Sequence, residues 1–378
     1  MIKDTKKTNY KITDKRLNTT SPATYEMVVF CHLRWQFVYQ RPQHIISRIA
    51  KHTKVLMIEE PLGRGIEEED SANLIIINNN LHVLQPKVLS IEAIASLLPQ
   101  YLKNSSVAIG WFYSASFSPL LYAVNFDTII YDCMDELSLF KGAPEKLILQ
   151  EKMLIAHADI VFTGGKSLYE SKKQMHHNVH CFPSSVDKSH FAKALNGIEI
   201  PADVAHLKGP VVGYFGVIDE RINLKLLNDT ALLLPHIEFV MIGPLAKIEE
   251  CDLPREKNIH YLGMRSYNIL PAYLKVFDIA MMPFALNDST KYISPTKTLE
   301  YMASEKPIIS TKITDVVRDY SNCVRLIDTA DDFAKNISFI LEKNDRAFMR
   351  KEYKNILRNT SWDTTVDKMQ FIINTFAK

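Results

Sequence analysis

From Tyr25 onward short apolar runs alternate with amphipathic stretches, a rhythm that predicts βαβ units built on a parallel sheet. In the first half, strands are expected at residues 27–31, 55–58, 74–77, 107–110, 128–131 and 159–163. Val and Ile fall on both parities of these runs, as in strands covered on both faces. The clearest intervening helix is 145–158, where Leu147, Leu149, Met153, Leu154 and Ile155 predict one apolar side. Turn formers, among them Gly197, Pro201 and Gly209, gather over 196–210 and mark a linker. A second alternating series follows, with strands expected at 211–215, 238–242, 260–262, 279–282, 307–310 and 324–327. A long helical pattern runs from Asp332 to the end, broken near 359–363. The expected organisation is a leader over 1–24, a Rossmann-like domain over 25–200, a second over 208–358, and a helix over 359–378 returning to the first.

In open parallel sheets ligands bind beyond the carboxyl ends of the strands, and the unusual polar residues fall just there. His32, Arg34, Trp35, Arg41 and His44 follow the first strand, and Glu59 and Glu60 the second. Asp132, Asp135 and Glu136 follow Tyr131, and Gly164 and Gly165 follow Thr163. In the second half the corresponding segments are Gly216 to Arg221, Gly243-Pro244, and Pro283 to Lys297.

The strongest local signal is Ser294-Pro295-Thr296-Lys297-Thr298-Leu299-Glu300. Ser294 suits an N-cap and Pro295 a first helical position, which leaves backbone N–H groups at Thr296 and Lys297 for an anion. Lys297 and Glu300 share a face, while Leu299 and Met302 point inward. A phosphate on Lys297 and ribose hydroxyls on Glu300 would use every polar group; a surface ion pair fits the same spacing. A second signal is the strand ending Gly213-Tyr214-Phe215-Gly216 with Arg221 one turn on, where glycine lets a ligand approach the backbone and arginine neutralises phosphate. A solvated arginine would read the same way.

Composition narrows the classes. At 378 residues the chain suits two domains, and a net charge of +2 argues against dedicated nucleic-acid binding. The basic residues Lys3, Lys6, Lys7, Lys11, Lys15 and Arg16 stand apart in the leader, either as a solvated tail or as weak attachment to an anionic membrane. No apolar run is long enough to span a bilayer, and none follows the charged N-terminus as a signal peptide requires. Five scattered cysteines without CxxC spacing predict reduced thiols and a cytoplasmic protein, and no zinc site. There is no GxGxxG after a strand, no Walker A segment and no HExxH, which disfavours NAD-type dehydrogenases, P-loop kinases and zincins. Asp132 and Asp135 are too few carboxylates for a metal, so no metal and no cofactor are expected.

Taken together these segments resemble the glycosyltransferases of the GT-B fold, family 4 ("glycosyl transferases group 1"), and within them the bacterial surface-polysaccharide branch that includes the teichuronic acid glycosyltransferase-like proteins. The resemblance covers residues 26–375. It is carried by Arg34-Trp35 with Gln40-Arg41-Pro42-Gln43-His44, Tyr131 to Glu136, Phe162 to Gly165 with Ser167-Leu168, Cys181 to Asp187, Gly213 to Gly216 with Arg221, and Ser294 to Lys297 with Glu300-Tyr301. It implies an α/β protein of two Rossmann-like domains facing each other across a cleft. A nucleotide-sugar, expected to be a UDP-sugar, would bind the C-terminal domain, and a glycan or lipid-linked acceptor the N-terminal one. Arg221 and Lys297 would hold the diphosphate, assisted by Gly216, Gly243, Ser294, Pro295 and Thr296, with Glu300 on the ribose and Met264 beside the base. Arg34, Trp35, Arg41, His44, Asp132 and Asp135 would face the acceptor.

Two departures matter. The family's arginine directly after the strand glycine is Val217 here, and its first glutamate of a Glu-x7-Glu pair is Tyr292, which leaves Asp288 as a candidate for the donor sugar. Transfer would retain configuration without a metal, Arg221 and Lys297 stabilising the departing diphosphate; in an inverting enzyme Asp135 would be the general base. A lipid-linked acceptor would bring the enzyme to the inner membrane face. A nucleotide-sugar epimerase on the same fold, and a degenerate nucleotide-sugar-binding subunit, are the rival readings.

Overall fold

The computed structural model describes residues 22–343 and 347–376. The basic leader from Lys3 to Arg16 lies outside them. Ala23 is already tied down: it forms a parallel bridge with Leu102, its N–H donating to the Tyr101 carbonyl at 2.9 Å. By their contacts the described residues divide into two compact units. One comprises the chain up to Asp132 with Glu145–Val161; the other comprises Cys133–Pro144 and Phe162–Thr375.

The first sheet has eight strands: β1 (Met27–Cys31), β2 (Val55–Glu59), β3 (Ser71–Asn78), β4 (Leu81–Lys87), β5 (Ser106–Phe112), β6 (Asn125–Cys133), β7 (Ile160–Thr163) and β8 (Val179–Cys181). Their order is β3-β4-β2-β1-β5-β6-β7-β8. The central strands β1 and β2 are buried along their whole length, which is why their apolar residues ignore parity. Two strands escape the pattern. Residues 81–87 form β4, which pairs antiparallel with β3 and parallel with β2. Its Pro86 and the preceding run of asparagines read as a turn, yet Asn78 accepts the N–H groups of Asn80 and Leu81 and closes a hairpin. As an edge strand β3 is largely exposed, so its isoleucines are not covered on both sides as expected. The three-residue β8 is too short to leave a periodic signal.

The helix Lys146–His157 forms as expected, but its apolar side is narrower. Leu147, Leu154 and Ile155 are buried, whereas Leu149 and Met153 are exposed. Two positions turn about 200° around a helix, so Leu149 cannot share the face of Leu147.

The second sheet has six parallel strands: β9 (Val211–Phe215), β10 (Glu238–Ile242), β11 (Ile259–Gly263), β12 (Ile279–Met282), β13 (Ile308–Thr311) and β14 (Arg325–Ile327). Their order is β11-β10-β9-β12-β13-β14, so β9 is central and the connections cross over. Helices that follow these strands bury apolar residues against the sheet, Leu227 and Ala231 from Leu224–Leu233 and Leu299 and Met302 from Thr296–Ala303. The C-terminal helical pattern resolves into Ala330–Lys343, Ala347–Leu357 and Trp362–Phe376. The predicted interruption near 359–363 is present between the last two. No helix among the described residues is long and apolar enough to cross a membrane.

Candidate active site

The carboxyl ends of β9 and β10 meet within the second unit. Gly216 ends β9 with φ 141°, and a Cβ there would lie 2.1 Å from Lys297 Cε. Gly243 ends β10 with φ 154°, and a Cβ there would lie 1.8 Å from the Gly216 carbonyl oxygen. Both positions have a φ that favours glycine; at Gly243 the close atom is backbone and cannot yield, whereas at Gly216 it is the flexible end of Lys297. The loops beyond run together: Ile218 N–H donates to the Pro244 carbonyl at 3.0 Å and Ala246 N–H to the Ile218 carbonyl at 3.1 Å.

Arg221 follows on the first of these loops. Its guanidinium grips Asp219, with Nε to Oδ1 at 3.0 Å and Nη2 to Oδ2 at 2.7 Å, and its Cζ lies 5.3 Å from the centre of the Phe140 ring. Burial pulls its pKa down, but the hydrogen bonds and charge of Asp219 outweigh burial and the net shift is upward. Arg221 is thus a fixed cation, aimed by a carboxylate two residues earlier and an aromatic face.

Lys297 arrives from the opposite side of Gly216, its Nζ 5.4 Å from the centre of the Tyr214 ring. The Tyr214 hydroxyl donates to the Val217 carbonyl at 2.9 Å, so the ring is fixed by the loop it supports. Burial lowers the Lys297 pKa; Glu300 opposes that shift and Arg221 reinforces it. The same burial raises the Glu300 pKa, against the pull of Lys297. Glu300 is buried and Lys297 half-buried, one turn apart on one helix.

The helix begins one residue later than expected. Pro295, with ψ 115°, occupies the N-cap, Thr296 is the first helical residue, and no side chain caps it. Ser294 instead offers its carbonyl to Ser184 Oγ at 2.7 Å. The N–H of Thr298 turns back to the Pro295 carbonyl, and among the described residues the N–H groups of Thr296 and Lys297 meet no protein acceptor. The shift leaves these two N–H groups at the start of the helix, as the anion reading requires. Thr296 Oγ1 donates to Ser184 Oγ at 3.1 Å.

Other expected residues have different surroundings. Met264 is exposed after Gly263, which has φ 68°. Arg265 beside it donates to the Met264 carbonyl at 3.0 Å and pairs with Asp203 at 2.7 Å, pinning that loop. Asp288 is exposed in a short turn, and half-buried Tyr292 carries Lys291 Nζ 5.2 Å from its ring centre. Asp135 is half-buried and adds its negative field at Arg221 and Lys297.

In the first unit, Arg41 and Asp132 are both buried and locked in a bidentate pair, with Arg41 Nε to Oδ2 at 3.2 Å and Nη2 to Oδ1 at 2.9 Å. His44 is buried too, edge-on to Tyr39 at 4.6 Å. Arg41 and Asp132 thus brace each other beyond the strand ends, and all three side chains are buried. Arg34 donates to Glu59, to the Glu60 carbonyl and to the Pro61 carbonyl, while Trp35 N–H donates to Glu59 at 2.7 Å.

Two carboxylates carry more of the second unit than the sequence suggested. Asp219 stands two residues before Arg221, a spacing visible in the chain but silent without a loop geometry. Asp315 is buried against Gly165, where a Cβ would lie 2.8 Å from its Oδ2, and it accepts from Lys166 N–H at 3.0 Å and from the Ser167 hydroxyl. The glycine pair after β7 therefore receives a carboxylate of the chain itself.

Two parallel-sheet α/β domains, with glycines, a lysine and an arginine gathered at the strand ends of the second, define the GT-B class of architecture. Residues 209–343 match the family described as "Glycosyl transferases group 1". The chain is 23% identical to TuaH of Bacillus subtilis (strain 168), whose name places it in teichuronic acid biosynthesis as a glycosyltransferase, over 67% of this chain and 68% of that one. In fold it is similar to sucrose-phosphate synthase from Thermosynechococcus elongatus (TM-score 0.68, 13% identity, 94% of this chain and 99% of that one). It is similar also to Anabaena HepE in complex with UDP and glucose (TM-score 0.64, 12% identity, 93% and 99%). The chain is a glycosyltransferase with the GT-B fold, and over residues 209–343 it is similar to the group 1 family.

Proposed function

We propose that the chain transfers a sugar from a nucleoside diphosphate sugar, a UDP-sugar by expectation, to a glycan or lipid-linked acceptor of surface polysaccharide, with retention and without a metal. The observation that carries this reading is the convergence of Arg221, Lys297 and the unaccepted N–H groups of Thr296 and Lys297 around the Gly216–Gly243 contact. A diphosphate there meets two cations and a helix start, and the missing side chains at both glycines admit it. Glu300, one turn along, is placed for ribose hydroxyls. The teichuronic acid relative supports an envelope-polysaccharide acceptor, and the UDP complex among the fold neighbours supports the donor class.

On this reading the bond from the anomeric carbon to the diphosphate oxygen breaks as the acceptor oxygen attacks the same face. The acceptor proton passes to the leaving phosphate. The chain's part is to stabilise charge on that phosphate with groups already in place, and removing one such group lowers rates about 100- to 1000-fold. Asp135 serves as acceptor anchor, and the basic leader as a peripheral contact with an anionic membrane face. The test is release of nucleoside diphosphate from candidate nucleotide-sugars with a lipid-linked glycan acceptor, with and without EDTA, and the anomeric configuration of the product by NMR. Acceptor-dependent, EDTA-resistant release with a retained anomer is the expected result. Conversion of the donor to another sugar without an acceptor would support an epimerase instead.

A further inference from the structure

A second cavity, of about 420 Å³, lies wholly inside the second unit, behind the helix Thr296–Ala303. Its size falls within the range of small-molecule sites. It is an open cleft between the stretch after β8, the end of the helix Thr314–Tyr320, and the turn between Ala347–Leu357 and Trp362–Phe376. None of the residues assigned above to the diphosphate lines it.

Three features of its wall point to a ligand. Ser185 is buried, yet its hydroxyl has no hydrogen-bond partner among the described residues. Buried hydroxyls are satisfied in native proteins as a rule, so an orphan lining a cavity marks a place where a bound group completes the pairing. Lys368 projects at the rim and makes no ion pair among the described residues, and Lys166 stands at the same cavity, held by Asp319. The Asn359 amide and the Thr365 hydroxyl line it without a hydrogen bond to the described residues, and Tyr320 and Ile356 supply apolar surface. Two ammonium groups against one carboxylate leave a net positive charge. Neutral donors and acceptors beside an apolar patch suit a polyhydroxylated ring.

We propose that this cavity binds a small phosphorylated sugar, with the phosphate monoester on Lys368 and Lys166 and ring hydroxyls on Ser185, Asn359 and Thr365. The adjoining Ser184 hydroxyl donates to the Ser294 carbonyl and accepts from Thr296, so the occupant sits one residue from the start of the diphosphate helix.

Calorimetric titration of the full chain with glucose 6-phosphate, inorganic phosphate and glucose tests the site. Glucose 6-phosphate is expected to bind the wild type and Lys297→Ala alike. Lys368→Ala, a surface change that leaves the fold intact, is expected to weaken it by about tenfold or more. Ser185→Ala is expected to weaken it while leaving Tm equal or higher, because it removes an unsatisfied buried hydroxyl. Inorganic phosphate binds more weakly and glucose not detectably. The proposal is overturned by absence of binding with glucose 6-phosphate, or by binding that Lys368→Ala leaves unchanged. Loss of binding in Lys297→Ala would place the ligand in the nucleotide site instead, and equal affinity for inorganic phosphate would remove the sugar from the assignment.

Discussion

At the scale of the residue, the site depends on cations whose charge is set by their neighbours. Burial pushes Lys297 down to about 8 and Glu300 up to about 7, each charge opposing the other's shift. The sign for binding follows. Raising pH through the lowered lysine value removes a positive charge from the diphosphate site, and lowering it through the raised glutamate value protonates the group placed for ribose. The free enzyme's kcat/KM for the donor is expected to be bell-shaped between these values, the alkaline limb disappearing in Lys297→Arg, whose guanidinium stays charged. A flat profile to well above pH 9 would show that Lys297 does not meet the phosphates. Arg221 is held differently, by the Asp219 carboxylate. Asp219→Asn is expected to raise the donor KM several-fold, through loss of aim, with a smaller change in Tm. In the first unit Arg41→Ala leaves Asp132 buried without its partner, and a loss of about 3–5 kcal/mol in unfolding free energy is expected by denaturant titration.

At the scale of the element, the strand ends decide what binds. Gly216 and Gly243 look alike in the chain but constrain different things. A methyl group at Gly216 would displace the flexible end of Lys297, whereas one at Gly243 would strike backbone. Gly216→Ala is thus expected to reduce nucleotide affinity more than stability, and Gly243→Ala to reduce stability first, compared by calorimetry and thermal melting. Much of this was legible in the sequence: fully buried strands such as β1 and β9 announce themselves by apolar residues on both parities, and the Ser294–Glu300 segment announces a helix start. The boundary slipped by one residue because Pro295 can stand either at the cap or in the first turn, and only its ψ separates the two. The β3–β4 hairpin was hidden because Pro86 and three asparagines read as loop, and Asp315 because its partners stand 148 or more positions away in sequence. The helix Lys146–His157 was read with too wide an apolar face because the chain carries leucine and methionine on its exposed side as well.

At the scale of the whole molecule, the polar groups of the first unit and those of the second are built to different ends. Arg41 and Asp132 are paired with each other, and Glu59 orders Arg34 and Trp35. In the second unit the corresponding strand ends gather two cations around two glycines and leave helix N–H groups without an acceptor among the described residues. The family match falls on that unit, residues 209–343, and so does the donor site proposed for it. On the proposed reading, the departures at Val217 and Tyr292 leave donor binding to Arg221, Lys297 and the helix start. The most direct test is a thermal-shift comparison of the full chain with UDP, GDP, dTDP and CDP, each with and without magnesium. A ligand at 100 times its Kd adds about 2.7 kcal/mol, enough to move the melting point by degrees. Stabilisation by one nucleotide, independent of magnesium and lost in both Lys297→Ala and Arg221→Ala, is the predicted result. No shift with any of the four, or a shift that survives both substitutions, would contradict the account.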